Sequence, residues 1–118
     1  MPNGQILAYM GDAVYEMHIR QAIIEQGSSD VNVIHQAVVN YTKAASQAAA
    51  LVSIKPYLTE SEWAAVLKGR NAKISKKPKH IDLQGYLYAT GLEALFGTLY
   101  FEGKHDRIKA LCTMILAS

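Results

Sequence analysis

The chain is predicted to be all-α, with about six helices. Two observations carry this: apolar residues recur at helical spacing along nearly the whole sequence with almost no strand-like alternation, and recognisable start and stop signals divide it into segments of helical length. With 118 residues, about two thirds of the unfolded surface can be buried, so one core suffices and residues 1–118 are expected to form one domain.

The first helix is expected from about Gln5 to Glu25. Gly27 offers a C-terminal cap, and Ser28, Ser29 or Asp30 an N-cap for a second helix over about Val31 to Val39. The alanine-rich run "KAASQAAALVSI", Lys43 to Ile54, is a third, stopped by Pro56. "LTESEW" has the form of a capping box, Thr59 with Glu62, and opens a fourth helix reaching about Lys68. A long helix capped by Asp82 runs from Leu83 to Phe101. Gly103 separates it from a last helix over about Asp106 to Ala117.

Composition narrows the function classes. Half of the residues are hydrophobic and 19% are charged, which excludes a disordered chain. No apolar run approaches the roughly 18 residues of a membrane span, and no basic n-region precedes an apolar one at the start, so the expectation is a cytoplasmic protein without membrane association. Cys112 is the only cysteine. A disulfide framework and a thiolate metal cluster within one chain are therefore excluded, and Cys112 reads as a core residue. The four histidines show no zinc-like pairing.

Two acids stand out. In "LAYMGDAVYE" Asp12 interrupts an apolar helical pattern; a helical wheel puts Ile6, Met10, Ala13 and Met17 on the core stripe and Asp12 beside it, near Tyr9, Glu16, Ile19 and Ile23. In the long helix Glu93 is the only ionised residue, grouped with Tyr86, Thr90, Gly97 and Tyr100. Gly91 and Gly97 each cost a helix interior about 1 kcal/mol relative to Ala, which calls for close contact with another helix. If the first and long helices pack together, Asp12 and Glu93 converge. Two such carboxylates either share a proton or bind a hard divalent cation.

A third feature is the segment "KGRNAKISKKPKH", Lys68 to His80, which holds half of the chain's twelve cations and no acid. It reads as a basic loop suited to a phosphate backbone, or as a solvated surface loop. An acidic pocket near a basic loop is the arrangement that metal-assisted phosphodiester hydrolysis requires.

"LAYMGDAVYE" and "GLEALFGTLYFEG" resemble the two acidic signatures of the ribonuclease III catalytic domain. "NGQILAYMGDAVYE", "GRNAK" and "HIDLQGYLYATGLEALFG" resemble more specifically Mini-III, the bacterial subfamily without the double-stranded-RNA-binding domain. The likeness runs from Asn3 to about Gly103. It implies the ribonuclease III endonuclease-domain fold, a homodimer, and Mg2+-dependent cleavage of double-stranded RNA, with Mn2+ able to substitute and 5′-phosphate and 3′-hydroxyl ends left behind. A 23S ribosomal RNA precursor is the implied substrate. By motif, Asp12 and Glu93 are the catalytic, metal-binding acids. Arg70, Asn71, Lys73, Lys76, Lys77 and Lys79 are the candidate RNA contacts. Ala8 and Thr90 stand where the larger enzymes carry further acids, as is characteristic of Mini-III, so a fully protein-ligated two-metal site is not expected. A non-catalytic RNA-binding or ribosome-assembly module of the same fold is the alternative. Glu16 is expected to pair with Arg20. "SQA", Ser46 to Ala48, also matches the family, and both packing and RNA contact remain open for it.

Overall fold

The computed structural model describes residues 1–72 and 82–118, and the described residues form six α-helices and no strand. These are α1 (Gly4–Glu25), α2 (Val31–Thr42), α3 (Ala44–Ile54), α4 (Glu60–Arg70), α5 (Leu83–Phe101) and α6 (His105–Ala117), with a single 3-10 turn, Lys55–Tyr57, after α3. No described helix is long and apolar enough to cross a membrane.

Most boundaries follow local chemistry. Asn3 caps α1 by accepting from the Ile6 amide, Asp30 caps α2 through the Asn32 amide, and Asp82 caps α5 through the Gly85 amide at 2.6 Å. The Thr59–Glu62 capping box is complete in both directions. Gly27 and Gly103 take positive φ after α1 and α5, where other residues would be strained.

Two boundaries differ from the sequence reading because tertiary contacts extend the helices. α2 continues past Val39 to Thr42; Tyr41 packs on the core there, and its carbonyl accepts the Tyr15 hydroxyl at 3.0 Å. α4 continues past Lys68 to Arg70, so the expected loop begins later. Gly69 is pinned against α5: a Cβ on it would stand 2.3 Å from the Ala94 Cβ.

Helix α5 is the centre of the assembly and packs on α1, α3, α4 and α6. Its apolar character all round suits that position. The core joins Tyr15 and Ile19 of α1, Leu51 and Ile54 of α3, Val66 of α4, Leu92, Leu95, Phe96 and Leu99 of α5, and Ile108 and Leu111 of α6. Each such side chain contributes about 1.5–3 kcal/mol on burial. Cys112 is buried among them, and burial pushes its thiol up to about 12, as expected for an inert core residue.

The expected core stripe of α1 is corrected. Ile6 and Met17 are 51% and 55% exposed, Ala13 is exposed and Met10 half-buried, whereas Leu7, Ala8, Gly11, Val14, Tyr15, Ile19 and Ile23 are buried. Helix α1 has apolar residues on more than one face, so a wheel alone does not choose between them. Backbone proximity chooses: a Cβ on Gly11 would stand 1.6 Å from the Glu93 carbonyl oxygen, and one on Gly97 2.0 Å from that of Leu7. Only the glycine face lets α1 and α5 approach this closely.

Candidate active site

The close crossing of α1 and α5 puts Asp12 and Glu93 side by side. Gly11 precedes Asp12, and its missing side chain lets the Glu93 backbone come against α1. Asp12 is exposed, while Glu93 is half-buried, one turn from Gly97. The two carboxyl groups are within hydrogen-bonding contact. Burial raises the Glu93 carboxyl to about 8, with the Asp12 charge and the hydrogen bond to Asp12 adding to the rise. At neutral pH without a cation, Glu93 therefore holds the proton and donates it to Asp12.

The pair faces a cavity of about 340 Å3 lined also by Ala8, Tyr86, Gly69 and Thr90. No cationic side chain is among its described lining residues. Two carboxylates in contact without a counter-charge, one of them held protonated, are a donor set that a hard divalent cation fits. The set is small: among the described residues no group of three or more His, Cys, Asp or Glu is placed to hold a metal ion. Ala8 and Thr90 account for this. Ala8 contributes a methyl group, and the Thr90 hydroxyl donates to the Tyr86 carbonyl at 2.9 Å, leaving only a neutral oxygen.

Glu16 is bound to Arg20, as the spacing anticipates. It lines, with Asp12, a second and more open hollow of about 850 Å3 on the outer side of α1, together with Tyr9, Met10, Met17 and Ile24. Asp82 is occupied as the α5 cap.

The candidate RNA contacts divide. Arg70 lies in the last turn of α4, half-buried, and exposed Asn71 is its C-cap; both fall between Gly69 and Ala72, which line the carboxylate cavity. Both thus stand at a helix end instead of in a loop, and neither is among the described residues lining the cavity. Lys73, Lys76, Lys77 and Lys79 lie outside the described residues.

The "SQA" segment, for which the sequence left packing and RNA contact open, supplies a buried residue near the pair. Gln47 of α3 is only 3% exposed, and it lies near enough to Glu93 to work against the rise of that carboxyl, without outweighing burial and Asp12. The sequence marked it through the family match of "SQA" and as a long polar residue in the alanine-rich run "AASQAAALVSI"; its burial is what the structure adds.

Comparison with known proteins places these residues in context. Residues 5–104 match the family described as Ribonuclease III domain. The chain is 44% identical over 104 residues to the Mini-ribonuclease 3 of Thermoanaerobacter sp. (strain X514), covering 88% of this chain and 73% of that protein. It is 38% identical over 117 residues to the Mini-ribonuclease 3 of Brevibacillus brevis, with 99% and 87% covered. The Staphylococcus aureus Mini-ribonuclease 3 is 40% identical over 120 residues, with 97% and 87% covered. A crystal structure of a Fusobacterium nucleatum protein superposes with a TM-score of 0.85 at 26% identity, covering 98% of this chain and 92% of the other.

Proposed function

The chain belongs to the ribonuclease III domain family, among proteins of the Mini-ribonuclease 3 type, and from that premise we propose that it is a homodimeric, Mg2+-dependent endoribonuclease that cuts double-stranded RNA. We propose a cytoplasmic location, 23S ribosomal RNA precursor as its substrate, and Mn2+ as a working substitute. The observation that carries the reading is the Asp12–Glu93 pair facing a cavity with no described cation in its lining.

Asp12 and Glu93 would hold the cation. When bound, it activates water and neutralises the charge that develops on the phosphate and the leaving 3′-oxygen, so that 5′-phosphate ends result. Glu93 must first release its proton, which makes loading proton-coupled. Thr90 and Ala8 leave the remaining coordination to water and RNA phosphate oxygens. Arg70, Asn71, Lys73, Lys76, Lys77 and Lys79 would hold the duplex through phosphates and 2′-hydroxyls, a mode that reads shape more than sequence. The exposed apolar side chains Ile6, Tyr9, Met17 and Ile24 on the outer side of α1 support a second copy docking there.

The test is incubation with duplex RNA and Mg2+, repeated with Asp12→Asn and Glu93→Gln. Cleavage by the unmodified protein and its loss in either variant supports the enzyme. Undiminished cleavage by both variants would refute this site. The small carboxylate set favours a second reading, a non-catalytic RNA-binding or ribosome-assembly module, which binding without cleavage would indicate.

A further inference from the structure

Besides the two acids, the carboxylate cavity holds a hydroxyl that the packing leaves unused. We infer that Tyr86 is a substrate-binding residue: from the first turn of α5, its phenol donates a hydrogen bond to a sugar–phosphate oxygen of duplex RNA beside the scissile bond. This deepens the proposed function, since it rests on duplex RNA lying over Asp12 and Glu93.

Tyr86, Thr90 and Glu93 share one face of α5, at i, i+4 and i+7, and all three line the cavity. The Thr90 hydroxyl donates to the Tyr86 carbonyl at 2.9 Å, so its proton is committed within the helix. Tyr86 is half-buried, and among the described residues its own hydroxyl has no hydrogen-bond partner. Tyr15 is the contrast: it is fully buried, and its hydroxyl donates to the Tyr41 carbonyl at 3.0 Å. Tyr9, the other phenol of the lining, is 84% exposed and also borders the outer hollow of α1, the face on which a second copy would dock. Tyr86 shares the cavity instead with Gly69 and Ala72, which flank Arg70 and Asn71 in sequence. Seven residues of helix put Tyr86 about 10 Å along α5 from Glu93, and helical side chains lean toward the N-terminus. The phenol therefore reaches a neighbouring nucleotide and not the phosphate at the cation.

A phenol suits this position better than a charged group. The cation offsets the charge of the phosphate it touches, whereas the flanking backbone enters a cavity with two acids and no cationic side chain among its described lining residues. Lys or Arg there would bind phosphate but would also pair with Asp12 or Glu93 and compete with the cation. A phenol is an uncharged donor at neutral pH and leaves the acids to the cation. Its ring turns about only two side-chain bonds, so a half-buried tyrosine loses little freedom when RNA arrives.

The test compares the full chain with Tyr86→Phe and, as control, Tyr88→Phe, whose ring packs on the core. Affinity for duplex RNA is measured by fluorescence anisotropy in chelator, cleavage by kcat and KM with Mg2+, Mn2+ affinity by electron paramagnetic resonance, and Tm by calorimetry. Losing one hydrogen bond to the RNA backbone should weaken binding roughly tenfold, about 1.4 kcal/mol, and raise KM in parallel. Mn2+ affinity and Tm should stay unchanged, and Tyr88→Phe should bind as the unmodified protein does. Single 2′-deoxy and methylphosphonate substitutions at the flanking nucleotides then separate the two acceptors: the one that Tyr86 uses is the one whose loss makes Tyr86→Phe and the unmodified protein bind equally. Unchanged RNA affinity in Tyr86→Phe, an equal loss in Tyr88→Phe, or a loss that comes with a lowered Tm overturns the inference. If the unmodified protein binds duplex RNA but leaves it uncut, the nuclease reading fails while the affinity ratio still decides the role of Tyr86. If it binds no duplex RNA, the role of Tyr86 is overturned.

Discussion

Gly11→Ala probes the link between packing and chemistry. On helix propensity alone the change stabilises by about 1 kcal/mol, since Gly11 lies inside α1. The structure predicts the opposite sign. The new Cβ would stand 1.6 Å from the Glu93 carbonyl oxygen and 2.7 Å from the Gly97 amide nitrogen, both backbone atoms that no rotamer change can move. Restoring van der Waals contact requires α1 and α5 to separate locally by roughly 1.5–2 Å. Overpacking of this kind typically costs about 1–3 kcal/mol and more when backbone must move, so after the propensity gain a net loss of about 2 kcal/mol is expected. For a chain of this size that lowers Tm by about 8 °C. The same separation carries Glu93 away from Asp12, and a displacement of about 1 Å can cost on the order of 100-fold in rate. Calorimetry reads the first effect and single-turnover cleavage of duplex RNA the second. Gly97→Ala, 2.0 Å from the Leu7 carbonyl oxygen, should behave alike; Gly91→Ala, whose nearest neighbour is the Val66 side chain at 2.9 Å, should be milder. A raised Tm with unchanged cleavage in Gly11→Ala would refute this coupling.

Further expectations concern pH, ion pairing and salt. Because the folded, cation-free protein raises Glu93 from 4.5 to about 8, it holds a proton there that the unfolded chain has released. The stability this contributes is present at low pH and lost as pH rises through about 8. Urea titrations in chelator from about pH 6 to about pH 9 should show this decline, Glu93→Gln should flatten it, and stabilisation by Mg2+ should grow over the same range; a decline unaffected by Glu93→Gln would contradict the assignment. Glu62 has the opposite sign: the Arg107 hydrogen bonds hold its carboxyl below the usual range, so its contribution is lost as pH falls through that lowered value. Removing either partner of this pair, linked at 2.7 and 2.9 Å, should cost about 1–3 kcal/mol, and strict additivity in a double-mutant cycle would exclude the coupling. Neutralising Lys76, Lys77 and Lys79 should weaken duplex binding and lower its salt slope by roughly 0.9 for each phosphate no longer neutralised; an unchanged slope would remove that segment from the RNA surface.

The sequence by itself determined the helical class, most helix limits and the two central acids, because these depend on local chemistry. Asp30, Thr59 with Glu62, and Asp82 cap their helices through amides two or three residues away, and Glu93 stands out simply as a lone charge in an apolar helix. Only the tertiary structure decided which face of α1 is buried, where α2 and α4 end, and that Gln47 is buried. The wheel favoured Ile6 and Met17, but glycines matter through the side chain they lack, and the advantage of that absence exists only once α5 lies against Gly11. Gln47 lies 46 residues from Glu93 in sequence, so no periodicity links them. The packing of α3 on α5 brings the two near each other, so that an amide of an alanine-rich helix comes to influence a half-buried carboxyl.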